Sequence, residues 1–226
     1  MISELEKSNR KKGFTLAEAL ITLVIIGVIA ALTIPSILVN TEQHEYKSAF
    51  KKALSVLNQV IELNLALDGF GPIETVSMVD QADDELSLYN FFRNRMSVIS
   101  TNDKYDGGDS ENYAFFTADG MRFEFPATPK IGTTGPADQF ATGNAKCARE
   151  GLGILDELGT VYDKPCLVIV DVNGDRKPNP TKARDKYKVP VATGRSRILD
   201  VFPVIVTDVN AYPFGVVGQR ALFQHN

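Results

Sequence analysis

From Phe14 to Val39 the chain runs 26 residues with one charged side chain, Glu18. At about 1.5 Å per residue, a helix of that length spans a hydrocarbon core of about 30 Å, so the segment reads as a membrane helix. Lys7, Arg10, Lys11 and Lys12 stand before it, and Glu42 and Glu45 follow. By the positive-inside rule the N-terminus then stays cytoplasmic and the remainder is exported. The net charge of −4 conceals this split, because residues 1–13 are net basic and the rest carries about −6. A 44% apolar share over 226 residues is enough for the exported part to build a real core.

Two ordinary readings fit the order basic, apolar, small: a cleaved signal peptide cut near Thr33, in "VIAALT", or an uncleaved anchor. Neither accounts for Glu18. A carboxylate in the bilayer costs a few kcal/mol, and such residues usually have a partner and a function. No basic residue lies one helical turn away after Phe14, so the partner is expected from elsewhere. A cut after Gly13 would expose the α-amine of Phe14 as a cation at the same depth in every copy of the chain. Glu18 of one copy could then neutralise the amine of the next. Gly27 and Pro35 also lie inside the apolar helix, where they cost about 1 and about 3 kcal/mol relative to Ala. Membrane helices tolerate such residues without a further role as well.

Lys11, Lys12, Gly13, Phe14, Thr15, Leu16 and Glu18, followed by about twenty apolar residues, resemble the type III signal of type IV pilins and type II secretion pseudopilins. The resemblance implies cleavage between Gly13 and Phe14 by a membrane prepilin peptidase, with N-methylation of Phe14. It makes Glu18 the partner of the adjacent subunit's amine. Gly27 and Pro35 become the bounds of a stretch that can melt in the filament. The implied partners are other pilin or pseudopilin subunits, prepilin peptidase, an inner-membrane assembly platform and membrane lipid. The implied location is a single-pass inner-membrane protein with an extracytoplasmic head, and afterwards a cell-surface or periplasmic filament.

Beyond Pro35 the pattern becomes one-sided: Tyr46, Phe50, Ala53, Leu54, Leu57, Val60 and Ile61 recur at spacings of three and four, while Lys47, Lys51, Ser55, Gln59 and Glu62 face away. This amphipathic helix is expected to continue the first to about Leu67, where "DGFGP" stops it. In the head, "DDELSLYNFFRNRMSVI" (Asp83 to Ile99) reads as a short helix. "YAFFTADGMRFEF" (Tyr113 to Phe125) reads as a hairpin turning at Asp119-Gly120. "CLVIVDV" and "ILDVFPVIV" read as strands, the second limited by Pro203 to an edge or a bulge. "DKYDGGDSEN" (Asp103 to Asn112) reads as an exposed loop. The expected fold is α+β: a long N-terminal helix, membrane-spanning and then amphipathic, packed on a head with an antiparallel sheet. The divisions are 1–13 leader, 14–39 membrane and assembly helix, 40–67 amphipathic helix and 68–226 exported head.

Cys147 and Cys166 lie on the exported side, where a pair is expected to form a disulfide rather than a metal or redox site. Asp171, Asn173 and Asp175 offer oxygens at alternate positions, as calcium loops do. The pattern then departs from such a loop, with Arg176 at the glycine position and Lys182 at the last acidic one. An Asp-rich turn pinned by Gly174, Pro178 and Pro180 explains the same residues, so calcium stays open as the one candidate cofactor. Lys182, Arg184, Lys186 and Lys188 are interrupted by Asp185 and read as a solvated face; no nucleic acid is expected as a partner of the head.

Catalytic material is thin. His44 and His225 are the only histidines, and neither a phosphate-cradling motif nor a dinucleotide fingerprint is present. The chain is therefore expected not to be an enzyme. It reads as a structural prepilin-like subunit, and the large head tilts that toward a minor one. The alternative is a membrane-anchored binding module whose head recognises a surface ligand or secreted substrate.

Overall fold

The computed structural model describes residues 13–75, 87–105, 112–126, 147, 154–155, 161–162, 165–174, 176 and 200–223. It divides into two units, one ending at Glu42 and the other beginning at Gln43. Helix α1, Leu16–Asp68, contributes to both.

In the first unit, Leu16–Pro35 is long and apolar enough to cross a membrane, and none of it is buried. Thirteen large apolar side chains between Leu16 and Leu38 are each more than half exposed. The hydroxyls in this stretch are satisfied by the helix itself. Thr22 donates to the Ala19 carbonyl at 3.0 Å and Thr33 to the Ile29 carbonyl at 3.0 Å, so neither presents a bare donor to lipid. Pro35 lies within α1, where it cannot donate to the carbonyl one turn back.

The second unit is an α+β head. Tyr46, Phe50, Ala53, Leu54, Leu57, Val60 and Ile61 are all buried along one face of α1. Lys51, Ser55, Gln59 and Glu62 are exposed on the other, as the helical period requires. The buried face shares one core with a six-stranded antiparallel sheet. Its strands are β1 (Val98–Tyr105), β2 (Asn112–Thr117), β3 (Arg122–Pro126), β6 (Cys166–Asp171), β7 (Val201–Val206) and β8 (Ala211–Pro213), neighbours in that order. Alternate residues Phe123 and Phe125, Val168 and Val170, and Phe202 and Val204 line the core, and Phe50 stacks on Phe202 with ring centroids 4.1 Å apart. A separate pair, β4 (Ile154–Leu155) and β5 (Val161–Tyr162), forms a two-stranded ribbon.

One polar residue on α1 organises the sheet edge. The Asn58 side-chain amide donates to the Ala211 carbonyl at 2.9 Å and accepts from the Ala211 N–H at 2.8 Å. Asn58 thus satisfies the outward backbone groups of this edge-strand residue as a further strand would.

Three local expectations are corrected. The predicted helix across Asp83 to Ile99 is α2, Leu88–Arg93, N-capped by Ser87, whose Oγ accepts from Asn90 N at 3.2 Å. From Val98 the β-branched Val98, Ile99 and Thr101 join β1, where Val98 and Thr101 pair with β2 and Ile99 sits at a break in register between them, an environment that suits them better than a helix. The acidic stretch from Asp103 is accordingly not all loop, since β1 continues to Tyr105 and β2 opens at Asn112.

Pro203 is in an interior strand, between β6 and β8. Its carbonyl accepts from Phe214 N at 2.9 Å on the β8 side. In an antiparallel strand the N–H and C=O of one residue point the same way. The donor that proline lacks therefore faces past the end of β8, at Pro213, and no bond to β6 is lost. Helix α3, Gly215–Phe223, follows and was not anticipated.

Cys147 and Cys166 form a disulfide with Cα atoms 4.9 Å apart, both residues fully buried and 19 apart in sequence. A loop of that length contributes on the order of 3 kcal/mol in the chain-entropy description.

The β2–β3 hairpin closes through Ala118, Asp119 and Gly120, with Thr117 N donating to the Met121 carbonyl at 2.9 Å. Gly120 occupies the left-handed region at φ +84°, as a three-residue hairpin loop requires. Its tip is tied to α1 by Lys52 Nζ, 2.9 Å from Asp119 Oδ2, while the Thr117 hydroxyl donates to Asp119 Oδ1. Burial pushes the Asp119 carboxyl up, but the Thr117 hydroxyl and the Lys52 ammonium together outweigh it and hold it below its ordinary 3.8. A lowered carboxyl stabilises the fold above its unfolded pKa, and the contribution fades as pH falls through the folded value. The stability gap between the native chain and Asp119→Asn is therefore expected to hold from about pH 7 to pH 5 and to close below about pH 4. Because the pair is largely solvated, the gap should be under about 1 kcal/mol; denaturant titrations across that pH range would measure it.

Candidate functional site

Gly13, Phe14 and Thr15 precede the first turn of α1. A Cβ added at Gly13 would meet nothing within 4 Å, and Phe14 is 90% exposed. The Gly13–Phe14 bond thus lies in open, non-helical chain immediately before a membrane-length helix.

Thr15 and Glu18 form a reciprocal cap. Glu18 N donates to Thr15 Oγ1 at 3.2 Å, while Glu18 Oε2 accepts from Thr15 N at 2.9 Å and from the Thr15 hydroxyl at 2.9 Å. This is a capping box: it satisfies donors that a helix start leaves without intrahelical partners. A carboxylate in the first turn also suits the positive end of the helix dipole. Thr15 thus gives Glu18 hydrogen-bond donors on its own chain, which is distinct from the charged partner expected from elsewhere. No ion pair to Glu18 exists among the described residues. The sequence signal for this cap is the pattern Thr-x-x-Glu just before an apolar run.

Residues 8–34 match a family model described as the prokaryotic N-terminal methylation motif. The chain carries the prepilin-type signal of type IV pilins and pseudopilins. Signals of this kind are processed by prepilin peptidase, and a helix long and apolar enough to cross a membrane, Leu16–Pro35, runs through the matched segment. The prepilin-type match covers 27 of 226 residues. No match was found among the curated proteins or among the solved structures.

Within the signal lie Gly13, Phe14, Thr15, Glu18 and Gly27, the last with open space around it; Pro35 follows directly. The remaining candidate residues are in the head. Asp171 is buried at the end of β6, and its Oδ1 accepts from Asn173 N at 3.3 Å, the local bond of an Asx turn. Asp175 lies outside the described residues, and among those described no group of three or more His, Cys, Asp or Glu is placed to hold a metal. A cavity of about 250 Å³ is lined by Val56, Met96, Met121 and Phe123, with Thr117 and Asp119 among its polar lining. Its one titratable group, Asp119, is the residue already held by Lys52 and Thr117.

Proposed function

We propose that this chain is a structural subunit, cut between Gly13 and Phe14 by prepilin peptidase and N-methylated on Phe14. It then polymerises through α1 into a type IV pilus or a type II secretion pseudopilus. The supporting observation is the prepilin-type signal set directly before a helix whose apolar side chains are exposed all round. Burying a Val, Leu or Ile is worth roughly 1.5–3 kcal/mol, so thirteen such residues left in water would cost on the order of 20 kcal/mol or more. A bilayer removes that cost before assembly, and equivalent helices of neighbouring copies remove it afterwards.

In this reading residues 1–13 are the leader, 14–39 the membrane and assembly segment, 40–67 the helix that packs on the head, and 68–226 the exported head. Glu18 pairs with the methylated amine of the adjacent copy, and Gly27 and Pro35 bound a stretch of weaker helix that can extend in the filament. The assembly platform of the inner membrane and its lipid are the other partners. A head of this size fits a minor subunit, and the filament ends at the cell surface or in the periplasm. The test is mass spectrometry of the mature N-terminus. A chain beginning at N-methyl-Phe14 is expected; an intact Met1 or a cut near Thr33 would overturn the reading and favour a plain anchor or signal peptide.

A further inference from the structure

A glutamate in the first turn of a helix has many rotamers, and few of them hold an oxygen ready for another molecule. Thr15 removes that freedom from Glu18. Its amide and hydroxyl both donate to Oε2 at 2.9 Å, and the same hydroxyl accepts from Glu18 N at 3.2 Å. Oε1 takes part in none of these bonds and has no hydrogen-bond partner among the described residues.

We propose that Thr15 is a positioning residue for assembly: it holds one carboxylate oxygen of Glu18 so that the other, Oε1, is presented to the cationic N-terminus of a second copy of this chain. The inference rests on the filament reading above. Its physical basis is preorganisation, since the rotamer entropy of Glu18 is lost within the single chain and not at the moment of association. A charge-assisted bond from the incoming amine to Oε1 also leaves the capping bonds to Oε2 intact. The carboxylate has acceptor capacity for both at once.

The test uses the full chain produced together with its assembly system, reading the fraction of mature subunit found in sheared filaments. Thr15→Ser keeps every bond of the box and is expected to stay within about twofold of the native yield. Thr15→Val keeps the β-branched shape but loses the hydroxyl, and is expected to fall about five- to tenfold, as the cost of a lost N-cap suggests. Thr15→Ala should match it, and all three should be cleaved after Gly13.

Native yield from Thr15→Val, alongside loss of filaments in Glu18→Ala, would overturn this inference alone. Native yield from both Thr15→Val and Glu18→Ala would overturn the filament pairing on which it rests. A Thr15→Ser chain as defective as Thr15→Val would exclude the hydroxyl bonds as the cause. A Thr15→Val chain that stays uncleaved would assign the hydroxyl to the peptidase instead, and would equally sink the proposal.

Discussion

Glu18→Gln is expected to abolish filament formation as completely as Glu18→Ala, although glutamine keeps the capping box. Glutamine serves at this helix position as well as glutamate does, so Thr15 N would still find an acceptor and α1 would still begin at Leu16. What disappears is the negative charge. In the assembled state the methylated amine of the neighbour would then sit among apolar helices with no counter-ion. Removing one partner of a buried ion pair costs about 3–5 kcal/mol, and at 1.4 kcal/mol per factor of ten this weakens each subunit addition by roughly 10² to 4 × 10³-fold. The head is unaffected, since its core begins at Tyr46, and the Cys147–Cys166 bridge should form as before. Filament yield from sheared cells, compared with the amount of cleaved, oxidised subunit in the membrane, measures the effect. A Glu18→Gln chain that assembles while Glu18→Ala does not would mean that Glu18 serves only as a cap.

The parts of the fold that were legible in the sequence are those whose signal is periodic and local. The buried face of α1 repeats at the helical spacing from Tyr46 to Ile61, and the hairpin announces itself through Asp119-Gly120 between aromatic runs. β1 was hidden because Val98 to Tyr105 is a polar edge strand with irregular register, so neither alternation nor hydrophobicity marked it. Pro203 misled because a proline argues against an interior strand; whether its missing donor faces a partner depends on where β8 ends, which is tertiary information. The same holds for Asn58 and Lys52. Each looks like an ordinary polar residue of an amphipathic helix until Ala211 and Asp119 are brought to it by the sheet. At the N-terminus the residue types around Gly13 point to processing by identity alone, whereas the part played by Thr15 lies in the hydrogen bonds of a helix end, which a count of charges does not mark.

Gly174→Ala is expected to destabilise the head by about 2–5 kcal/mol, far more than the same change at Gly69. Both glycines are in the left-handed region, at φ +67° and φ +65°, where an L-residue costs roughly 1–2 kcal/mol. At Gly69 nothing lies within 4 Å of an added Cβ, whereas at Gly174 the Cβ would come 2.7 Å from the Gly120 carbonyl oxygen. That oxygen is backbone, at the tip of the hairpin closed by Thr117 and Met121 and tied to α1 by Asp119 and Lys52, so it cannot swing away as a flexible side chain would. Relief requires the turn after β6 or the hairpin tip to shift, and overpacking of this kind adds about 1–3 kcal/mol. For a protein of this size the sum lowers the melting temperature by about 4–20 °C, against about 2–8 °C for Gly69→Ala. Thermal unfolding of the oxidised protein followed by circular dichroism measures both. Equal shifts for the two variants would mean that the turn carrying Asp171 and Asn173 does not rest on the hairpin. A larger shift at Gly174 would show that the two loops at this end of the sheet form one packed unit.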